Sequence, residues 1–233
     1  QIVYYVTASQ AFAEPATFCV PTGNFGNVLA GWIAKSTGAS IDNLLIASNA
    51  NDILARFVNH RDMSATEVVP TLSPSMDIQV SSNFERLLFE MNNRNGGRTA
   101  EQLKHFRSSG ALEVEEVHFR TWISSTFSAE RVDDEETLAE IGRVYRDSGM
   151  LIDPHTATGT AAARRTRSDG TTVCLSTAHP AKFPDAVEKA TGIRPELPPE
   201  LGDLMERTER MSDLPAHLAA VSDFVRGVSR VSR

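Results

Sequence analysis

Apolar and polar positions along the first sixty residues alternate between two periods. Ile2, Val3, Tyr5, Val6 and Ala13 recur at helical spacing until Pro15 ends the run. Thr17–Val20 is a short continuous apolar run of the kind a buried strand needs, and the glycine-rich turn PTGNFGN (Pro21–Asn27) follows it. Val28–Lys35 then reads as an apolar helix stopping at Gly38, Asn43–Ala47 as a second buried strand and Asn51–Asn59 as a second helix. Strand, glycine turn, helix, strand, helix is the rhythm of a parallel α/β sheet.

The middle of the chain changes character. Glu67–Val80 is rich in Pro and Ser and predicts a loop. Phe84, Leu87, Leu88 and Met91 place a helix over Asn83–Met91 with Ser81 or Ser82 as its cap. Asn92–Arg98 reads as a turn and Ala100–Ser108 as a helix, whereas Leu112–Val132 follows no single period. Asp133–Asp147 is an amphipathic helix whose acidic first turn suits the helix dipole. Regular order then resumes. Asp153-Pro154 caps and opens a helix running through Ala157–Arg165; Arg167–Gly170 is a turn and Thr172–Ser176 a third strand. Pro184–Thr191 is a helix closed by Gly192. Prolines from Arg194 onward break the pattern. The organisation expected is a core domain over residues 1–193 and a surface tail over 194–233 with a final helix, Ala216–Val228.

Composition narrows the partners. A formal net charge of -7 argues against nucleic acid, so any bound anion must be held locally by oriented N–H groups or a few cations. The two cysteines, Cys19 and Cys174, each sit in an apolar run and read as buried thiols rather than a disulfide or metal site. That usage fits a reducing cytoplasm, and no apolar stretch approaches the roughly 20 residues of a membrane helix. The first residues lack Met and a basic leader, and read as a helix inside a larger protein.

Two segments carry candidate chemistry. Gly23-Asn24-Phe25-Gly26-Asn27 lies between a strand and a helix, where glycines permit a tight turn and unpaired N–H groups at the helix start converge. Such a turn takes a phosphate without net positive charge. It is neither a Walker A loop, lacking Gly-Lys-Ser/Thr, nor the G-x-G-x-x-G dinucleotide fingerprint, and a plain strand-to-helix turn has similar local features. The run Ser176-Thr177-Ala178-His179-Pro180-Ala181-Lys182-Phe183 also follows a strand. In parallel sheets both loops would face one crevice.

PTGNFGN, LAGWIAK, SNANDI, LSPSMDIQVSSNFERLLFE, DPHTATG and STAHPAKF, in this order from Thr17 to about Gly192, together resemble threonine synthase, a fold-type II pyridoxal 5'-phosphate (PLP) enzyme family. The resemblance implies an α/β fold, a three-layer parallel-sheet domain of the tryptophan synthase β-like class, incomplete here. It implies PLP as cofactor, the phosphate held by Gly23, Asn24, Phe25, Gly26 and Asn27, and the pyridine nitrogen met by Thr177. A hydroxyl there suits an unprotonated ring nitrogen and a weaker electron sink.

The implied reaction turns O-phosphohomoserine and water into threonine and phosphate. Asn49, Asn51, Asp52, Ser75, Asp77, His155 and Lys182, in or beside the matching motifs, are the candidate substrate contacts. Each also has a plain structural role open to it, such as a helix cap at Asn51-Asp52 or a solvated surface position at Lys182. Lys35, Lys104, Lys182 and Lys189 are the lysines, and none lies in a motif matching the family's PLP lysine. That lysine is expected upstream, in a missing N-terminal portion, so the catalytic set is incomplete and this chain alone is not expected to catalyse. The alternatives are a phospholyase of the same family, releasing a keto acid, and a non-catalytic fragment. No metal and no membrane partner is expected, and the protein is expected to be a monomer or dimer.

Overall fold

The computed structural model describes residues 1–166 and 170–230. In chain order its elements are α1 (Ile2–Ser9), β1 (Ala16–Pro21), α2 (Gly26–Ser36), β2 (Ile41–Ser48), α3 (Ile53–His60), α4 (Phe84–Met91), α5 (Gly96–Ser109), the short α6 (Glu116–His118), β3 (Phe127–Arg131), α7 (Asp134–Ser148), α8 (Pro154–Thr166), β4 (Thr172–Cys174) and α9 (Pro184–Thr191). The four strands form one parallel sheet in the order β3-β2-β1-β4.

All six residues of β1 are buried, because helices cover both faces of the sheet. Phe18, Val20, Leu44 and Ile46 point into one cluster with Tyr5, Val28 and Phe57. Cys19, Leu45 and Ala47 point the other way, against Ala162 of α8. Helices on each side of a central sheet give the three-layer parallel α/β architecture. Gly159 lets α8 approach closely, since a Cβ there would stand 3.1 Å from the Pro21 ring at the end of β1.

The local expectations meet their elements with small shifts at the ends. α7 opens with a capping box: Asp133 accepts from Glu136 N–H, and the Glu136 carboxylate accepts from Asp133 N–H. α5 begins at Gly96, inside the segment expected as a turn, because the Asn95 side chain accepts the Arg98 N–H and caps it. The hydroxyls of Ser81 and Ser82 do not cap α4; Asn83 occupies the N-cap, and both serines bond to the glycine turn instead. The segment without a period holds α6, a π-helical turn (Phe119–Ser124) and the edge strand β3. The turn expected at 167–170 lies, except for Gly170, outside the described residues.

Two compact units are present, Gln1–Glu196 and a second beginning at Leu197. The second holds two short 3-10 turns and α10 (Leu218–Val228), on which Leu218, Val225 and Val228 are exposed. Among the described residues no helix is long and apolar enough to cross a membrane.

Candidate functional site

At the C-terminal edge of the sheet, β1 feeds the turn Thr22–Phe25 into the start of α2. Thr22 continues the β1–β2 ladder by donating its N–H to Ala47 O at 2.9 Å, and the chain then reverses. Phe25, the N-cap of α2, has φ 65, a left-handed conformation costing a side-chain-bearing residue roughly 1–2 kcal/mol. Its ring compensates by burial, edge-on to Phe84 with centroids 5.3 Å apart and 5.8 Å from Phe127. Gly23 is required by close approach: a Cβ there would meet Ser75 O at 2.8 Å and Met76 Cα at 2.9 Å, both backbone atoms.

The carbonyls of this turn are engaged from Gly23 to Phe25, the last accepting the Leu29 N–H at 2.9 Å. Ser81 Oγ donates to Gly23 O at 2.7 Å, while Asn83 donates to Asn24 O from its backbone N–H (3.1 Å) and its side-chain amide (3.0 Å). Tyr5 Oη donates to Asn27 O at 2.9 Å, and burial raises the Tyr5 pKa, so the phenol stays a donor. By contrast, the backbone N–H groups of Gly23 to Asn27 find no acceptor among the described residues. With its carbonyls engaged and its amides unpaired among the described residues, the turn has donors to offer an anion.

Those amides open on a cleft of about 290 Å³ lined by Pro21–Asn27, Ser75, Met76, His155, Thr177, Ala178 and Lys182, with Gln1 at one side. Its far wall hangs on the wholly buried Asp153. Asp153 Oδ1 accepts the His155 N–H (2.8 Å) and faces His155 Nδ1 (3.0 Å), and Oδ2 accepts the Thr156 hydroxyl. His155 Nε2 accepts the Ser75 N–H at 3.3 Å, which assigns the ring proton to Nδ1. Thr156 Oγ1, its proton given to Asp153, accepts the Thr177 N–H at 3.2 Å. Burial opposes ionisation of Asp153, but hydrogen bonds from His155 and Thr156 outweigh it and hold the carboxyl below the ordinary range. One buried carboxylate thus orients both Ser75 and Thr177.

Comparisons with known proteins find threonine synthases. The family model described as "Threonine synthase, C-terminal" matches residues 156–225. The threonine synthase of Pseudomonas aeruginosa is 49% identical over 231 residues, covering 97% of this chain and 49% of its own length. The crystal structure of PLP-bound threonine synthase from Brucella melitensis superposes with a TM-score of 0.88 at 44% identity, over 98% of this chain and 50% of that one. Yeast threonine synthase superposes with a TM-score of 0.83 at 33% identity, over 97% of this chain and 50% of that one.

This chain belongs to the threonine synthase family. Its fold is that of the fold-type II PLP enzymes, and it spans about half the length of the curated threonine synthases it matches.

Within this chain the expected site residues fall into two groups. Gly23, Asn24, Phe25, Gly26, Asn27, Thr177, Ser75, His155 and Lys182 line the one cleft. Asn49, Asn51, Asp52 and Asp77 do not. Asn49 and Asn51 are buried and donate from their side chains to Asp77 Oδ1 at 2.8 and 3.0 Å; Thr71 also donates to that carboxylate, from Oγ1 at 2.6 Å and from N–H at 2.8 Å. This net fixes the loop leading to Ser75. Asp52 pairs with Arg56 at 2.9 Å and Arg131 at 3.6 Å. Gln1, Met76 and Ala178 also line the cleft, and Asp153 and Thr156 anchor it, all outside the expected set. Only the motif DPHTATG, which contains both anchors, signalled the latter.

Proposed function

We propose that the protein to which this chain belongs is a PLP-dependent threonine synthase, a lyase converting O-phosphohomoserine and water into threonine and phosphate. The observation that carries this reading is the single cleft joining the outward amides of Gly23–Asn27 to Thr177. A phosphate cradle of backbone amides lining the same cavity as a threonine suits the phosphate and the ring nitrogen of PLP.

PLP, when bound, supplies an electron-withdrawing ring that eases proton loss from the substrate's α and β carbons. The chain's residues bind and orient. The amides of Gly23, Asn24, Phe25, Gly26 and Asn27 hold the cofactor phosphate without an added positive charge, so that group stays put while the substrate's own phosphate leaves. The Thr177 hydroxyl meets the pyridine nitrogen, steadied by Thr156 beneath its backbone. Ser75, His155 and Lys182 face the same space, so they are proposed to bind the substrate. Lys182 Nζ stands 5.6 Å from the centre of the Phe183 ring, a cation available to the departing phosphate. Asn49, Asn51 and Asp77 hold the wall from behind. The lysine this chemistry requires is proposed to come from the other half of the family's length.

The test is turnover by the full-length protein carrying PLP. Threonine and inorganic phosphate in equal amounts are expected from O-phosphohomoserine. A 2-keto acid in place of threonine would move the protein to the phospholyases, and PLP binding with no turnover would sink the proposal. Gly23→Ala and Thr177→Ala are expected to lower PLP affinity in the same preparation, at least tenfold for Gly23→Ala.

A further inference from the structure

The two cysteines, 155 residues apart in the chain, are direct register partners on β1 and β4. Neighbouring parallel strands stand about 4.8 Å apart, inside the roughly 4.4–6.8 Å Cα separation that a disulfide spans. Both side chains lie on the α8 face of the sheet, packed with Leu45, Ala47 and Ala162. Cys19 is wholly buried, with Sγ 3.0 Å from Gly159 O, whereas Cys174 is half-buried and reachable. An isolated buried thiol is inert packing. Two thiols face to face, one of them accessible, form a reactive pair.

We propose that Cys19 and Cys174 are a peroxide-oxidisable dithiol whose disulfide ties together the roots of the two loops that wall the cleft. The chemistry starts at Cys174. The neighbouring Cys19 thiol lowers its pKa, with help from the Arg164 guanidinium and against burial and Glu140. The same contact and burial raise that of Cys19, so the pair divides into a thiolate-prone and a proton-holding partner. The Cys174 thiolate attacks one oxygen of hydrogen peroxide; the O–O bond breaks, hydroxide leaves, and Cys174 carries a sulfenic acid. The Cys19 sulfur then attacks the Cys174 sulfur, and the departing oxygen takes up the Cys19 proton and leaves as water. Two thiols and one peroxide give one disulfide and two waters.

Placement gives the bond its effect. β4 is in register with β1 at Thr172, Val173 and Cys174, with Thr17 N–H donating to Thr171 O and Leu175 N–H to Cys19 O at the two ends, so the cross-link falls near the C-terminal end of a short ladder. Cys19 precedes Pro21 by two residues and Cys174 precedes Thr177 by three, so the link ties the glycine turn to the Thr177 loop. The pair is independent of the ligand the cleft takes.

The experiment uses the full-length protein with a small excess of hydrogen peroxide. Non-reducing digestion is expected to yield a Cys19–Cys174 linked peptide pair lost on dithiothreitol treatment, and amide exchange from Leu175 to Thr177 is expected to slow several-fold. In Cys19→Ser, Cys174 should stop at a sulfenic acid trapped by dimedone; in Cys174→Ser, Cys19 should remain a free thiol. A wild-type protein whose Cys19 stays alkylatable after unfolding, whether Cys174 is unchanged or over-oxidised, overturns the proposal.

Discussion

The Thr156 hydroxyl accepts the backbone N–H of Thr177 at 3.2 Å and gives its own proton to the buried carboxylate of Asp153. A hydroxyl has one proton to give, so its partners are fixed in direction: Asp153 must be the acceptor for Thr177 to be held. Thr156→Val removes both bonds at nearly constant volume. A loss of about 1–2 kcal/mol in unfolding free energy is expected, with faster amide exchange at Thr177 and none of the same effect at Ser75. Equal loss of protection at Ser75 would mean that the two arms are not separately anchored.

Asp153 serves both arms. Asp153→Asn weakens the bonds from His155 and Thr156 and can place an amide donor against theirs, so roughly 2–3 kcal/mol of stability should be lost. Denaturant unfolding measures it. The expected order is Asp153→Asn more destabilised than Thr156→Val.

Acid stability follows from the same carboxyl. Its folded pKa lies below the ordinary value of 3.8, so its contribution is complete above that value and is lost as pH falls through the lowered folded one. Stability measured from pH 5 down to pH 2 should therefore fall less steeply in Asp153→Asn than in the wild type. Parallel curves would count against the assignment.

Gly23→Ala tests the tight turn. The added Cβ would stand 2.8 Å from Ser75 O and 2.9 Å from Met76 Cα, and neither backbone atom can swing aside as a flexible side chain would. A cost of about 1–3 kcal/mol is expected, together with weaker phosphate binding. Titration with inorganic phosphate and with PLP checks the second effect separately from the first.

Asp77→Ala separates wall from ligand contact. The carboxylate accepts from Asn49, Asn51 and Thr71, so its removal takes a charged acceptor from all three, while Asn49 keeps Ser73 O and Asn51 keeps Val69 O. The loss should be about 2–4 kcal/mol of stability, and limited proteolysis should cut first within residues 66–78. A substrate-affinity defect with unchanged stability would instead return Asp77 to the substrate contacts.

The sequence by itself determined the local grammar of this protein. Continuous apolar runs at Thr17–Val20 and Asn43–Ala47, followed by helical periods, were enough to specify parallel strand–helix units, because side-chain period and burial are local properties. The glycine turn was legible for a similar reason: its residue types restrict the backbone wherever they occur. Tertiary structure alone decided what those units bring together. β3 was illegible within Leu112–Val132 because its identity as a strand comes from pairing with β2. Ser75 meets His155 across 80 residues and Thr177 meets Thr156 across 21, contacts with no local period to betray them. Asn49, Asn51 and Asp77 looked like ligand residues because polar side chains near a motif carry the same letters whether they face a cleft or one another. Cys19 is the buried thiol its apolar run predicts, whereas Cys174 is half-buried, and only the strand order set them side by side.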